Sequence, residues 1–132
     1  MMIVTKPRTV SVDISTQDYF EFHIDSGRVL LSEEKYRLIG KTTALVNLAI
    51  EHQIPLVVRT DNDKVAAKHK AGNHPNFKCY TAYELIRNAL GVDFHKGFLV
   101  DDISCAEAMS VAEKTRSHIR TGCVSLSGFL NT

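Results

Sequence analysis

From residue 40 onward, short apolar runs alternate with helix-length segments, and this alternation restricts the fold more than any other feature of the chain. Ile54-Pro55-Leu56-Val57-Val58 is rich in β-branched residues, with its Pro only at the entry, where a strand tolerates one. Phe77-Lys78-Cys79-Tyr80 and Phe98-Leu99-Val100 read as further short strands, and Thr121-Gly122 leads into a last one. Residues 43–53 are apolar around most of a helical circumference, as expected of a helix packed on a sheet. Residues 64–70 form a second helix, with Asp61-Asn62-Asp63 as N-caps and Gly72 as its stop. Thr81-Ala82-Tyr83-Glu84 is a capping box for a helix over 82–90 closed by Gly91, and Ser104-Cys105-Ala106-Glu107 opens another that reaches residue 119. Such spacing implies βαβ units with right-handed crossovers. The expected fold class is α/β, a three-layer sandwich with a mostly parallel central sheet.

The first thirty residues follow a different pattern. Residues 1–9 look like a loose lead-in, and 10–31 like N-terminal strands. Tyr19-Phe20-Glu21-Phe22-His23-Ile24 alternates strictly, with Phe20, Phe22 and Ile24 on one face of a strand. Asp25-Ser26-Gly27 has turn chemistry and Arg28-Val29-Leu30-Leu31 reads as the return strand, so a β-hairpin is expected before the main sheet. Either this hairpin is an added edge, or residues 28–31 are the strand that feeds the segment after it. A third arrangement has Ser32-Glu33-Glu34 capping a helix continuous through Gly40.

At 132 residues the chain has the size of one domain, 1–132, and can bury a core. A formal charge of +1 favours neither a polyelectrolyte partner nor a membrane surface, and no run approaches the roughly 18 apolar residues of a membrane span. Met1 to Arg8 lacks the apolar core of a signal peptide. Cys79, Cys105 and Cys123 are odd in number and scattered, which suits reduced core thiols in a cytoplasmic setting rather than a disulfide framework.

Chemistry concentrates in two places. Leu38-Ile39-Gly40-Lys41-Thr42-Thr43 runs straight into the apolar stretch 44–50 and reads as the second half of a phosphate-binding turn. Such a turn offers backbone N–H groups and a helix N-terminus to an anion, with a Lys point charge beside them. The full G-x-x-x-x-G-K-[ST] pattern would place a Gly where this chain has Lys35. The second place is Gly97-Phe98-Leu99-Val100-Asp101-Asp102, an apolar run ending in two carboxylates. Ligand sites of α/β sheets lie at the carboxyl ends of such strands, where a carboxylate can hold Mg²⁺ beside phosphates. The alternative readings are a plain N-cap at Thr42 or Thr43, a solvated Lys41, and carboxylates that begin the next helix.

Taken together these segments resemble a P-loop NTPase domain of the RecA-like, helicase-type branch, in the shortened form of small phage proteins. Gly40-Lys41-Thr42-Thr43 is similar to the end of Walker A and Phe98-Leu99-Val100-Asp101-Asp102 to Walker B. Cys123-Val124-Ser125-Leu126-Ser127-Gly128 resembles the strand that ends in a sensor loop, so the resemblance spans about residues 28–128. It implies ATP and Mg²⁺ as ligands. The amides of Gly40, Lys41 and Thr42 would cradle phosphates, with Thr43 beside them. Thr42 and Asp101 would hold the metal, Asp102 would orient the attacking water and Ser127 would sense the terminal phosphate. Asp102 stands where many relatives carry Glu, which implies slow hydrolysis. No second RecA-like domain is expected within these 132 residues, so the resemblance implies that an arginine for transferred charge would come from a protein partner or another copy of the chain.

Weaker constellations add little. The six histidines fit no metal-binding spacing. Arg59, Lys64, Lys68, His69, Lys70 and Lys78 form either a solvated face or a basic edge for a nucleic-acid backbone. Two functional classes stay open at this level: a nucleotide-binding domain with slow hydrolysis, and a protein-interaction module that keeps the scaffold without the chemistry.

Overall fold

Helices and strands alternate through the whole described chain, which in this computed structural model comprises residues 3–5, 16–31, 40–88 and 94–125. The elements are β1 (Ile3–Thr5), α1 (Thr16–His23), β2 (Arg28–Leu31), α2 (Lys41–His52), β3 (Leu56–Val58) and α3 (Asp61–Lys70). They continue with β4 (Cys79–Thr81), α4 (Ala82–Arg87), β5 (Phe98–Ser104), α5 (Cys105–Thr115) and β6 (Ile119–Ser125). All six strands join one parallel sheet in the order β1-β2-β6-β5-β3-β4. The expected three-layer α/β architecture is therefore present.

Period-two alternation in the strands creates two cores. Leu30, Leu56, Val58, Leu99 and Cys123 face α1, α2 and α3. Val29, Leu31, Val57, Val100, Ile103 and Val124 face α4 and α5. Connections running rightward through the strand order use helices of the first face, and those running leftward use the second. Direction and face change together, so all five crossovers have the same hand, as βαβ units require.

The expected hairpin is not formed. Residues 19–24, read as a strand, lie in α1 and the turn after it, and β2 lies parallel to both of its neighbours. Phe20 and Ile24 are buried in the first core, whereas Phe22 is 82% exposed. Phe20 and Ile24 are four residues apart, one helical turn, so the pair satisfies a helix stripe as well as a strand face. Burying Phe20 completely is worth about 2–3 kcal/mol, and it docks the helix. Ile3–Thr5, in the segment expected to be a loose lead-in, adds the edge strand β1.

Two positions explain the centre of the sheet. Gly122 sits inside β6 at φ 134°, and a Cβ there would lie 1.9 Å from the Val100 carbonyl oxygen on β5. Only glycine allows that approach. On the facing strand, the register skips a residue between Asp101 and Ile103, and Asp102 takes φ 64°. This bulge is why Val100 and Ile103, three apart, both reach the second core. At the far end, Arg120 donates to the Ile24 carbonyl (2.8 Å), the Lys96 carbonyl (2.7 Å) and the Asp25 carboxylate, tying α1 to the entry of β5.

Candidate functional site

Neighbouring strands β5 and β3 send their following helices to opposite faces of the sheet, which opens a crevice at their carboxyl ends. The N-terminus of α2 belongs to this edge. Gly40 caps it at φ 74° and has no side chain to close the first turn, and Ala44 N–H is the donor to the Gly40 carbonyl at 2.9 Å. The amides of Lys41, Thr42 and Thr43 precede that first in-helix bond and so need other acceptors. A Cβ on Gly40 would meet nothing within 4 Å, so the glycine is there for its left-handed backbone, not for space. That conformation also rules out a helix continuous through Gly40. Segment 32–39, including Lys35, lies outside the described residues.

Three other helix starts at this edge, those of α3, α4 and α5, are closed by side chains. Thr60 accepts from the Asp63 N–H at the start of α3, which makes Thr60, and none of Asp61, Asn62 and Asp63, the N-cap. Thr81 with Glu84 and Ser104 with Glu107 form the two expected capping boxes. The Ser104 helix ends at Thr115, earlier than expected, where Arg116 takes φ 53°.

Two cross-contacts bring the motif residues together. Thr42 Oγ1 donates to Asp101 Oδ2 at 2.8 Å, and Lys41 Nζ lies 2.7 Å from Asp102 Oδ2. Asp101 is 6% exposed, and its Oδ1 has no hydrogen-bond partner among the described residues. Burial pushes its carboxyl above the usual range, and the charges of Asp102 and Asp63 add to that. The Thr42 hydrogen bond and the Lys41 ammonium oppose it without cancelling it. A buried carboxylate oxygen left unpaired is costly, and a cation or a proton would relieve it. Ser127 lies outside the described residues; β6 is described as far as Ser125, which stands opposite Ser104 on β5.

Sequence spacing did not disclose two neighbours of the motif residues or one backbone feature. Asp63, in the first turn of α3, is close enough to act on the Asp101 charge. Lys70, the last residue of α3, donates to Thr43 Oγ1 at 3.1 Å. The bulge at Asp102 was also hidden, although two polar residues ahead of a further apolar one (Ile103) inside a strand would have been its signal. Of the basic edge, Lys64 is held by Glu84 at 2.9 Å and Arg59 lies 4.0 Å from Asp63, so these two charges are locally spent. Burial raises the Glu84 carboxyl, but the hydrogen bond from Lys64 and the Thr81 N–H outweigh it and hold the group below its ordinary value.

Elsewhere, Glu21, Glu51 and His52 bring ligand-type atoms within 4.8 Å of one another on the surface between α1 and α2, with His52 Nε2 3.1 Å from Glu21. Thirty-one residues separate Glu21 from His52, so no local spacing announced the group. A groove of about 520 Å³ opens at the opposite end of the sheet beside Gly27, Met109, His118 and Arg120, away from the two motifs. Cys79, Cys105 and Cys123 are buried free thiols. No helix among the described residues is long and apolar enough to cross a membrane. No protein-family model, curated protein or solved structure matches this chain.

Proposed function

We propose that this domain binds the phosphate chain of a nucleotide, with ATP as the first candidate, together with Mg²⁺, where the N-terminus of α2 meets the end of β5. The observation that carries the reading is Asp101: a buried carboxylate with one oxygen on Thr42 and the other without a hydrogen-bond partner among the described residues. Oxygen donors of this kind suit Mg²⁺, and Thr42 and Asp101 are the residues that would hold it. When bound, the ion would neutralise charge on the phosphates. The first-turn amides of Lys41, Thr42 and Thr43, reinforced by the dipole of α2, favour an anion at the same place.

The Lys41–Asp102 ion pair sets how such a ligand enters. Lys41 would exchange the Asp102 carboxylate for phosphate oxygens, and Asp102 would then be available to orient a water. A carboxylate on this short side chain, held in a bulge, favours slow hydrolysis. An arginine from a partner or a second copy could raise the rate by roughly 10³–10⁵. The RecA-like, helicase-type resemblance and a phage origin belong to this proposal, supported by the parallel sheet and by the placement of both motifs at one edge.

The test is a calorimetric titration with Mg²⁺-ATP and Mg²⁺-ADP, alongside Lys41→Ala. The expected result is micromolar binding that depends on Mg²⁺ and disappears in the variant. Absence of heat at millimolar nucleotide overturns the reading, and the scaffold-only, protein-interaction alternative then takes its place.

A further inference from the structure

We infer that Glu21, Glu51 and His52 form a divalent transition-metal site of the zinc class, which clamps the end of α1 to the end of α2. The two helices pack side by side in the first core, where Phe20 and Ile24 of α1 share a cluster with Leu45, Leu48 and Ala49 of α2. Asn47 donates to Gln17 at 3.1 Å, and four residues further along each helix Glu51 meets Glu21. Both steps run in the same chain direction, so the helices are parallel and their carboxyl-terminal ends coincide. Glu21 is in the last turn of α1, and Glu51 and His52 are in the last turn of α2.

That placement is the reverse of what a helix favours. Each C-terminus carries the negative end of its dipole, where a carboxylate is repelled and a cation attracted. Two such ends and two carboxylates converge here, so the local field favours a cation. His52 adds a nitrogen donor, its Nε2 3.1 Å from Glu21 Oε1, and one ligand-type atom from each of the three residues lies within 4.8 Å of the other two. Consecutive helical residues project roughly 100° apart, so Glu51 and His52 reach a common point only by turning towards each other.

Donor chemistry selects the ion. Bonds of about 2.0–2.2 Å to Zn²⁺ set the ligand atoms of a tetrahedron roughly 3.3–3.5 Å apart, close to the His52–Glu21 separation. A small rotation of the exposed Glu51 side chain closes the set. Imidazole suits zinc and its neighbours in the transition series, whereas Mg²⁺ takes oxygen ligands. Three protein donors leave a fourth position for water. Lys41 and Glu51 are about 15 Å apart along α2, so this site is separate from the Asp101 carboxylate. Zinc bound here ties together residues thirty-one positions apart in the chain and adds to the stability of the folded state.

The experiment titrates the untagged, chelator-treated chain and its His52→Gln, Glu51→Gln and His69→Gln variants with zinc chloride by calorimetry, with and without excess Mg²⁺. Thermal unfolding is recorded for each with and without zinc. The expected result is one equivalent bound by wild type with micromolar affinity, not displaced by Mg²⁺. Zinc at about a hundred times Kd should raise Tm by about 8 °C. Loss of an outer-shell partner alone costs roughly 10–100-fold in metal affinity, so His52→Gln and Glu51→Gln should each weaken zinc at least about tenfold. His69→Gln, at an exposed histidine of α3, should match wild type. Zinc-free Glu51→Gln should unfold at or above the wild-type temperature, because it removes a carboxylate from a negative helix end, so its loss of zinc is not a loss of fold. Absence of binding at millimolar zinc, displacement by Mg²⁺, or wild-type affinity in His52→Gln overturns the site. Equal losses in His52→Gln and His69→Gln also overturn it, because they reveal only a general affinity of imidazoles for zinc.

Discussion

Replacing Asp101 with Asn should stabilise the ligand-free protein, because the carboxylate is held against the preference of its surroundings. An ion taken out of water into a protein interior carries an effective penalty of several kcal/mol. The Thr42 hydroxyl offsets part of this; a hydrogen bond to a charged acceptor is worth about 1.5–3 kcal/mol and to a neutral one about 1 kcal/mol. The amide therefore forfeits about 1 kcal/mol at Thr42 and some attraction to Lys41. It removes the ion's desolvation and the repulsion from Asp102 and Asp63. The net expectation is a gain of about 1–2 kcal/mol, or about 3–8 °C in Tm for a domain of this size. Thermal unfolding near neutral pH reads it directly. The pH dependence follows from the direction of the shift. A carboxyl whose folded pKa is raised binds its proton more tightly in the native state, so its destabilising effect is absent below the ordinary value of 3.8. That effect grows as pH rises through the raised value, so the gap between Asn variant and wild type should narrow on acidification. A variant that is less stable than wild type, or a gap that does not change with pH, refutes the argument. The same variant should lose Mg²⁺-nucleotide binding.

Two further outcomes test the fold around the site. Gly122→Ala should cost at least about 3 kcal/mol in urea unfolding, because the new Cβ meets the Val100 carbonyl at 1.9 Å and the backbone keeps a φ that alanine avoids. Gly40→Ala, with open space around its Cβ, should cost only about 1 kcal/mol, and similar losses at the two positions would sink the close-approach explanation. Burial raises the Cys79 thiol to about 12 and Cys105 in the same direction, so a thiol reagent at pH 8 should modify neither until denaturant is added. Rapid labelling of Cys79 in the native protein, located by peptide mapping, would contradict its place in the first core.

The sheet and its helices were legible from residue 40 because each signal there is local. Capping boxes at Thr81 and Ser104 complete themselves within four residues, and β-branched runs such as 56–58 mark strands buried on both faces. The N-terminal segment misled because Phe20 and Ile24 fit either period; only the exposure of Phe22 separates the two readings, and exposure is a tertiary fact. Within the site, Lys41, Thr42, Asp101 and Asp102 could be named from type and order, but not their pairing. β6 lies between β2 and β5, and the contact of Thr42 with Asp101 spans fifty-nine positions of chain. Lys70 and Asp63 belong to a helix whose own sequence reads as a solvated face, and only packing turns them toward the edge.

The bulge at Asp102 also sets which genetic changes this position can survive. Asp102 is the residue that moves Ile103 from the first core to the second, and everything after it, including the Ser104 cap and the buried face of α5, is in phase with that shift. Deleting Asp102 would return β5 to plain alternation, with Val100 and Ile103 two apart and still on the second core, so the frame would survive and the carboxylate partner of Lys41 would be lost. Substituting Asp102 leaves the frame intact. At φ 64° the backbone there favours Asp, Asn or Gly, so Asn is the exchange that removes the charge while keeping both the frame and the local conformation.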